Sequence, residues 1–278
     1  VTNGKGERPE DAARGALMEA AELAAAERAV AETWDSAAGL AARYGGEAVI
    51  PPGALDPGAE GGGDALRIAW RRATDLGSGA PVLVPAQAVH VSPADGMWLG
   101  PSVLRWTSNG MGAARRRDAA LLHALLEAVE RDRVARALPE GFTEGEVERR
   151  LLDRERLAAA APRAAALAGR IEGRGFRVFF LDLTEPSVAS DPLSPTLSPA
   201  ARGRGRARLL LGLPTAAALI LDVEGGPVPL AAGYACRLRR DLALHSALLE
   251  AAQSRATEIH GAREDVLSSD RHAAAALR

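Results

Sequence analysis

The sequence predicts an α+β chain. Three stretches carry a helical spacing of apolar positions around the same heptapeptide, Ala-Leu-(Met/Leu)-Glu-Ala-x-(Glu/Gln), at residues 16–22, 124–130 and 247–253. Three others, 176–183, 217–223 and 228–238, are short apolar runs bounded by glycine or proline, as buried strands are. Helical and extended patterns that follow one another in blocks, without strict alternation, point to helices lying beside antiparallel sheets.

Residues 9–34 read as one long helix, with Pro9 at its first position and Glu10 and Asp11 in its first turn. Residues 45–63, rich in proline and glycine, read as loop leading to a short helix at 65–73. Residues 82–85 and 88–91 read as strands and 93–96 as a turn. Ser108-Asn109-Gly110 is a second turn, before a helix from about Asp118 to Arg136 that Pro139 ends. Residues 144–173 are again helical in pattern, and 186–208, rich in Pro, Ser, Gly and Arg, read as a low-complexity insertion. The strand at 217–223, the Gly225-Gly226 turn and the strand at 228–238 precede a last helix at 241–258, with a frayed end after 266. At 278 residues the expectation is a single domain, 1–278, with subdomains.

A formal net charge of −2 gives no basic field for nucleic acid, and no apolar run is long enough for a membrane helix. The single cysteine, Cys236, excludes an internal disulfide framework or a cysteine-based metal cluster and fits the cytoplasm. The five histidines, His90, His123, His245, His260 and His272, have no zinc spacing, and no Ser/His/Asp triad is apparent, so each reads as structural or surface. Cys236 sits in an apolar strand context and reads as a buried structural thiol.

The recurring heptapeptide carries the chemistry. Its polar pairs, Glu19/Glu22, Glu127/Glu130 and Glu250/Gln253, are three apart, so each pair projects from one helix face. Carboxylates gathered in one cleft repel one another unless a cation neutralises them, and Mg²⁺ with a nucleotide triphosphate does so with oxygen ligands. Glu22, Glu130 and Glu250 are the candidate metal ligands, with Arg131 and Arg255 placed to meet phosphate oxygens. The competing reading is three solvent-facing turns on unrelated amphipathic helices. Lys5, the only lysine in the chain, lies between Gly4 and Gly6 just ahead of a helix start. It is either a phosphate contact or a chance residue of an N-terminal tail. Arg115-Arg116-Arg117 is likewise a phosphate contact or a solvated basic run.

Taken in series, several motifs resemble the YcaO family over nearly the whole chain. They are Gly4-Lys5-Gly6, the segment 16–22, Ser108-Asn109-Gly110-Met111, the segment 126–132, Glu250-Ala251-Ala252-Gln253-Ser254-Arg255 and Gly261-Ala262-Arg263-Glu264-Asp265. The resemblance implies a YcaO-like fold of sheets flanked by helices, with a nucleotide site between three Glu-bearing helices. It implies an ATP- and Mg²⁺-dependent enzyme that phosphorylates a peptide-backbone amide oxygen, leading to azoline, thioamide or amidine products in ribosomally made peptides and proteins. Lys5, Glu19, Glu22, Asn109, Glu127, Glu130, Arg131, Gln253 and Arg255 fall on nucleotide- and metal-contacting positions, with Glu130, Arg131, Gln253 and Arg255 as the catalytic set. A homodimer, a peptide or protein substrate and a TfuA-like or ThiF-like partner protein are implied with it.

Departures from the family pattern are Gly15 in place of serine, Arg115 in place of asparagine and Ala119 in place of glutamate. The family's strand segment ahead of Gly4 is not in this sequence, which begins at Val1, so the expectation is a truncated or partner-dependent chain. An Ala-rich end without the Pro-x-Pro-x-Pro tail of azoline-forming members leans towards the TfuA-associated, thioamide-type branch. The departures favour an alternative of another class, a degenerate scaffold that binds peptide or partner without turnover.

Overall fold

A computed structural model describes residues 2–28, 30–56, 63–90, 98–105, 107–185 and 212–260. It is α+β, with two three-stranded antiparallel sheets and flanking helices. There are two compact units, Ala20–Ser108 and a discontinuous one formed by Val1–Glu19 and Asn109–Arg278. Helix α1 (Pro9–Ala26) supplies residues to both. It ends eight residues before the Trp34 expected from sequence, because a distant residue takes its terminus. His90 Nε2 accepts the Val30 N–H at 3.1 Å, which leaves the proton on Nδ1 to donate to the Ala26 carbonyl at 3.1 Å. His90 is thus a buried structural histidine.

In the unit Ala20–Ser108, β1 (Thr33–Asp35), α2 (Ala37–Tyr44), α3 (Pro52–Leu55), β2 (Ile68–Thr74) and β3 (Pro81–Pro85) follow in order. The Ser36 hydroxyl caps α2 by accepting the Gly39 N–H at 3.1 Å. The segment expected as a helix at 65–73 is instead β2, the central strand of sheet β1-β2-β3. Both of its edges are paired antiparallel, and Ile68, Ala69 and Trp70 are fully buried, so tertiary pairing overrides an Ala- and Arg-rich helical composition. The strand expected at 88–91 is corrected too: residues 86–88 form a 3₁₀ turn.

The discontinuous unit continues with α4 (Arg117–Ala137), α5 (Glu144–Arg150), α6 (Arg154–Ala160), α7 (Pro162–Glu172), β4 (Phe176–Asp182), β5 (Thr215–Asp222), β6 (Leu230–Cys236) and α8 (Arg240–Ile259). The helical stretch expected at 144–173 is three helices. Leu152 N–H bonds the Phe180 carbonyl at 2.8 Å, Asp153 caps α6, and Pro162 starts α7. Strand β5 lies between β4 and β6, and its alternation sorts the core. Ala216, Ala218 and Ile220 join Leu167, Leu244 and Leu248 in one cluster. Ala217, Leu219 and Leu221 join Ala137, Leu138 and Val147 in another. Both faces being covered is why β5 reads as a continuous apolar run. The insertion at 186–208, the 93–96 turn, the 261–265 motif and His272 lie outside the described residues.

Candidate nucleotide and metal site

The site builds up from the close approach of a glycine loop to α1. A Cβ on Gly4 would overlap the Ala12 carbonyl, and one on Gly6 would come within 2.6 Å of the Asp11 Cβ, so neither position has room for a side chain. Gly15 faces the same loop: a Cβ there would lie 3.3 Å from the Gly4 Cα, a tight fit that favours glycine over serine. Lys5, between the two glycines, sends its ammonium to the Glu250 carboxylate on α8. Two residues earlier the Asn3 N–H donates to Glu19 Oε2 at 2.9 Å. One loop therefore touches a carboxylate from the first heptapeptide and one from the third.

The second heptapeptide adds Glu130, only 5% exposed on the inner face of α4. Its Oε2 accepts the Cys236 N–H at 3.1 Å. Strand β6 is a sheet edge, and the neighbouring Arg237 N–H turns inward to the Pro214 carbonyl, so the Cys236 amide points outward and is free for a carboxylate. Burial pushes the Glu130 carboxyl above the ordinary carboxylate range, the charge on Glu250 pushes it further, and Arg131, the Cys236 amide and Lys5 pull it back. Glu250, Arg131 and Lys5 thus all act electrostatically on Glu130. Cys236 is a fully buried thiol whose pKa burial raises, the opposite of an activated nucleophile.

The remaining expected residues divide. Arg131 lies 4.0 Å from Glu127 one turn back, half exposed beside the Glu130–Glu250 pair. Gln253 is half-buried on α8, a turn after Glu250, and Asn109 stands exposed at the turn ahead of α4. Glu22 lies in the other unit, three residues beyond Glu19 on the same helix. Arg255 is committed elsewhere. It donates to Asp222 Oδ2 at 2.8 Å and to the Val228 carbonyl, and its guanidinium covers the Phe176 ring at 4.8 Å. His123 is exposed on α4.

Glu7, Arg163, Arg170 and His245, none of them a site candidate from the sequence, form a hydrogen-bonded cluster around the residue that follows Gly6. The carboxylate following Gly6 was the available signal, but its partners lie 156 to 238 residues away.

Among the described residues, no group of three or more His, Cys, Asp or Glu could hold a metal ion. Among the described residues, Glu250 is the carboxylate whose charge acts on buried Glu130. That pair suits Mg²⁺, which is held by one or two carboxylates and takes water and phosphate oxygens for the rest of its shell. Burial of Glu130 beside a second carboxylate is the arrangement a cation would relieve. No helix among the described residues is long and apolar enough to cross a membrane.

The family model described as YcaO cyclodehydratase, ATP- and Mg²⁺-binding, matches residues 3–277. An uncharacterized protein of Methanothermobacter thermautotrophicus is 29% identical over 271 residues, 96% of this chain and 60% of that relative. A heterocyclase solved in complex with substrate and cofactor superposes with a TM-score of 0.62 at 18% identity, over 96% of this chain and 34% of the other. The YcaO protein of Methanopyrus kandleri bound with AMPPCP and Mg²⁺ superposes with a TM-score of 0.56 at 21% identity, over 95% and 57%. At these identities the structural likeness is one of fold, and the chain spans only 60% of its sequence relative. With a family model matching all but its extreme ends, this chain belongs to the YcaO family.

Proposed function

We propose that this chain is an ATP- and Mg²⁺-dependent enzyme that activates peptide-backbone amides by phosphorylating their oxygen, giving thioamide or azoline modification of a ribosomally made peptide or protein. The observation that carries the proposal is the buried carboxylate of Glu130 on α4, on which Arg131 and the ion-paired Glu250 of α8 and Lys5 of the glycine loop act. Glu130 and Glu250 would hold Mg²⁺, which when bound neutralises phosphate charge and orients the transferred group. Lys5, Glu19, Asn109, Glu127, Arg131 and Gln253 are the nucleotide contacts. Lys5 supplies a point charge to phosphate oxygens, and Arg131 can fork onto the same group. Such a site works by positioning and electrostatics. The thioamide-type branch, a TfuA-like or ThiF-like partner, a homodimer and a cytoplasmic setting complete the proposal.

One observation favours the alternative of a scaffold that binds peptide without turnover. Arg255, carried over as catalytic, is held by Asp222, Val228 and Phe176. Thermal unfolding with ATP, with and without Mg²⁺, separates the two readings. Nucleotide at about a hundred times its dissociation constant adds roughly 2.7 kcal/mol to native stability. The enzyme reading expects a Mg²⁺-dependent rise in the parent, its loss in Glu130→Ala, and ATP consumption once peptide is supplied. A folded protein with no such rise overturns it.

A further inference from the structure

Glu7 follows Gly6 directly, and its carboxylate gathers three cationic or donor groups from two helices. Oε1 accepts from Arg163 Nη2 at 3.0 Å and from His245 Nε2 at 2.8 Å, and Oε2 accepts from Arg170 Nη2. Arg163 and Arg170 stand seven residues, two turns, apart on one face of α7. His245 is buried on α8 and precedes Glu250 by five residues. The loop is thereby held at three successive points: Asn3 on Glu19, Lys5 on Glu250, and Glu7 on α7 and α8. Gly4 and Gly6 lie so close to α1 that the loop cannot settle further onto it.

We infer that Glu7 is a positioning residue of the nucleotide site, its bonds to Arg163, Arg170 and His245 fixing the Gly4-Lys5-Gly6 loop so that Lys5 faces the Glu250 carboxylate and the phosphates. The inference rests on the nucleotide reading proposed above. Glu7 itself touches no reacting group; it acts through Lys5. Its charge is held firmly, because Arg163 first, then Arg170 and His245, keep its pKa down at about 2. A neutral isostere would lose the charge-assisted part of all three bonds while keeping the side chain's shape.

The test is a double-mutant cycle read by ATP-Mg²⁺ binding in calorimetry, with Glu7→Gln, Lys5→Ala and the double variant, alongside amide hydrogen exchange of residues 3–7. The inference expects Glu7→Gln to weaken ATP binding at least tenfold in the parent, to have no further effect in the Lys5→Ala background, and to speed exchange in the loop. Equal weakening in both backgrounds would mean that Glu7 acts through general stability, and unchanged binding with unchanged exchange would remove the clamp; either result overturns the inference. If Lys5→Ala binds ATP like the parent, the nucleotide reading fails, and loop exchange in Glu7→Gln alone decides whether the clamp exists. Should Glu7→Gln fail to fold, Arg170→Gln, at an exposed position, removes one of the three bonds and serves in the same cycle.

Discussion

The Glu130 carboxylate accepts the outward-pointing backbone N–H of Cys236 at 3.1 Å, tying α4 to strand β6. Oε2 is the oxygen used this way, and the group is buried with a second carboxylate acting on it. An acid so placed is held at a cost to the fold, as functional groups often are.

Glu130→Gln is therefore expected to leave the nucleotide-free protein as stable as the parent or more stable by about 1 kcal/mol at neutral pH, while abolishing Mg²⁺-dependent stabilisation by ATP. The amide oxygen still accepts the Cys236 N–H. The sign with pH follows from the raised pKa. The folded parent takes up a proton more readily than the unfolded chain, so the penalty is present at neutral pH and relieved as pH falls towards the ordinary carboxylate value of 4.5. Urea unfolding of both proteins between pH 7 and 5 should show the gap closing.

Lys5→Ala removes a half-exposed ion pair with Glu250, a loss of at most about 1 kcal/mol. It also removes a charge that lowers the Glu130 pKa, so that pKa should rise further. Carboxyl titration by NMR would read the shift, and calorimetry the expected loss of ATP affinity.

Arg255→Lys should destabilise the fold by about 1–3 kcal/mol, since an ammonium cannot serve Asp222 and Val228 together while lying flat on Phe176. ATP affinity should change little in the folded fraction. Denaturant unfolding and nucleotide binding on the same sample distinguish this structural role from phosphate contact.

Gly233 on β6 is where α8 meets the sheet. An added Cβ would overlap the Ala251 amide and the Ala247 carbonyl and come within 2.7 Å of the Glu250 carbonyl carbon. Gly233→Ala is expected to cost about 1–3 kcal/mol and to push Glu250 away from Lys5. Loss of ATP binding greater than the loss of stability, on the same titration, checks the displacement.

Acid should loosen the loop before the core. The Glu7 pKa is lowered from 4.5 to about 2, so its stabilisation is complete above 4.5 and fades as pH falls towards 2. Partly exposed, it contributes on the order of 1 kcal/mol after solvent screening. The acid limb of the stability profile should flatten in Glu7→Gln, measured by thermal unfolding from pH 5 to 2.5.

What could be read from the chain was what is local. The Glu spacing on α1, α4 and α8 and the apolar run of β5 are set by neighbours within a few residues, and the structure has these helices and this strand within two residues of where the sequence placed them, the end of α1 apart. Strand β2 was misread because seven Ala- and Arg-containing residues carry too little period to separate helix from strand, and its identity comes from partners on both sides. The end of α1 was misread because the cap is His90, 64 residues beyond Ala26. The Glu7 cluster stayed hidden for the same reason, each of its partners being more than a hundred residues away.

The Lys5–Glu250 pair joins residues 245 apart, and Glu7 meets His245 across 238. During synthesis the loop leaves the ribosome well over two hundred residues ahead of Glu250 and His245. Until α8 emerges, Lys5 lacks Glu250, and Glu7 has Arg163 and Arg170 of α7 but not His245. Late closure of such long-range contacts is slow, because the entropy of bringing distant segments together is lost before the contacts are gained. Nucleotide competence is thus expected to appear only once α8 has been made, so a nascent chain that stops short of that helix would lack it even where its sheets had formed.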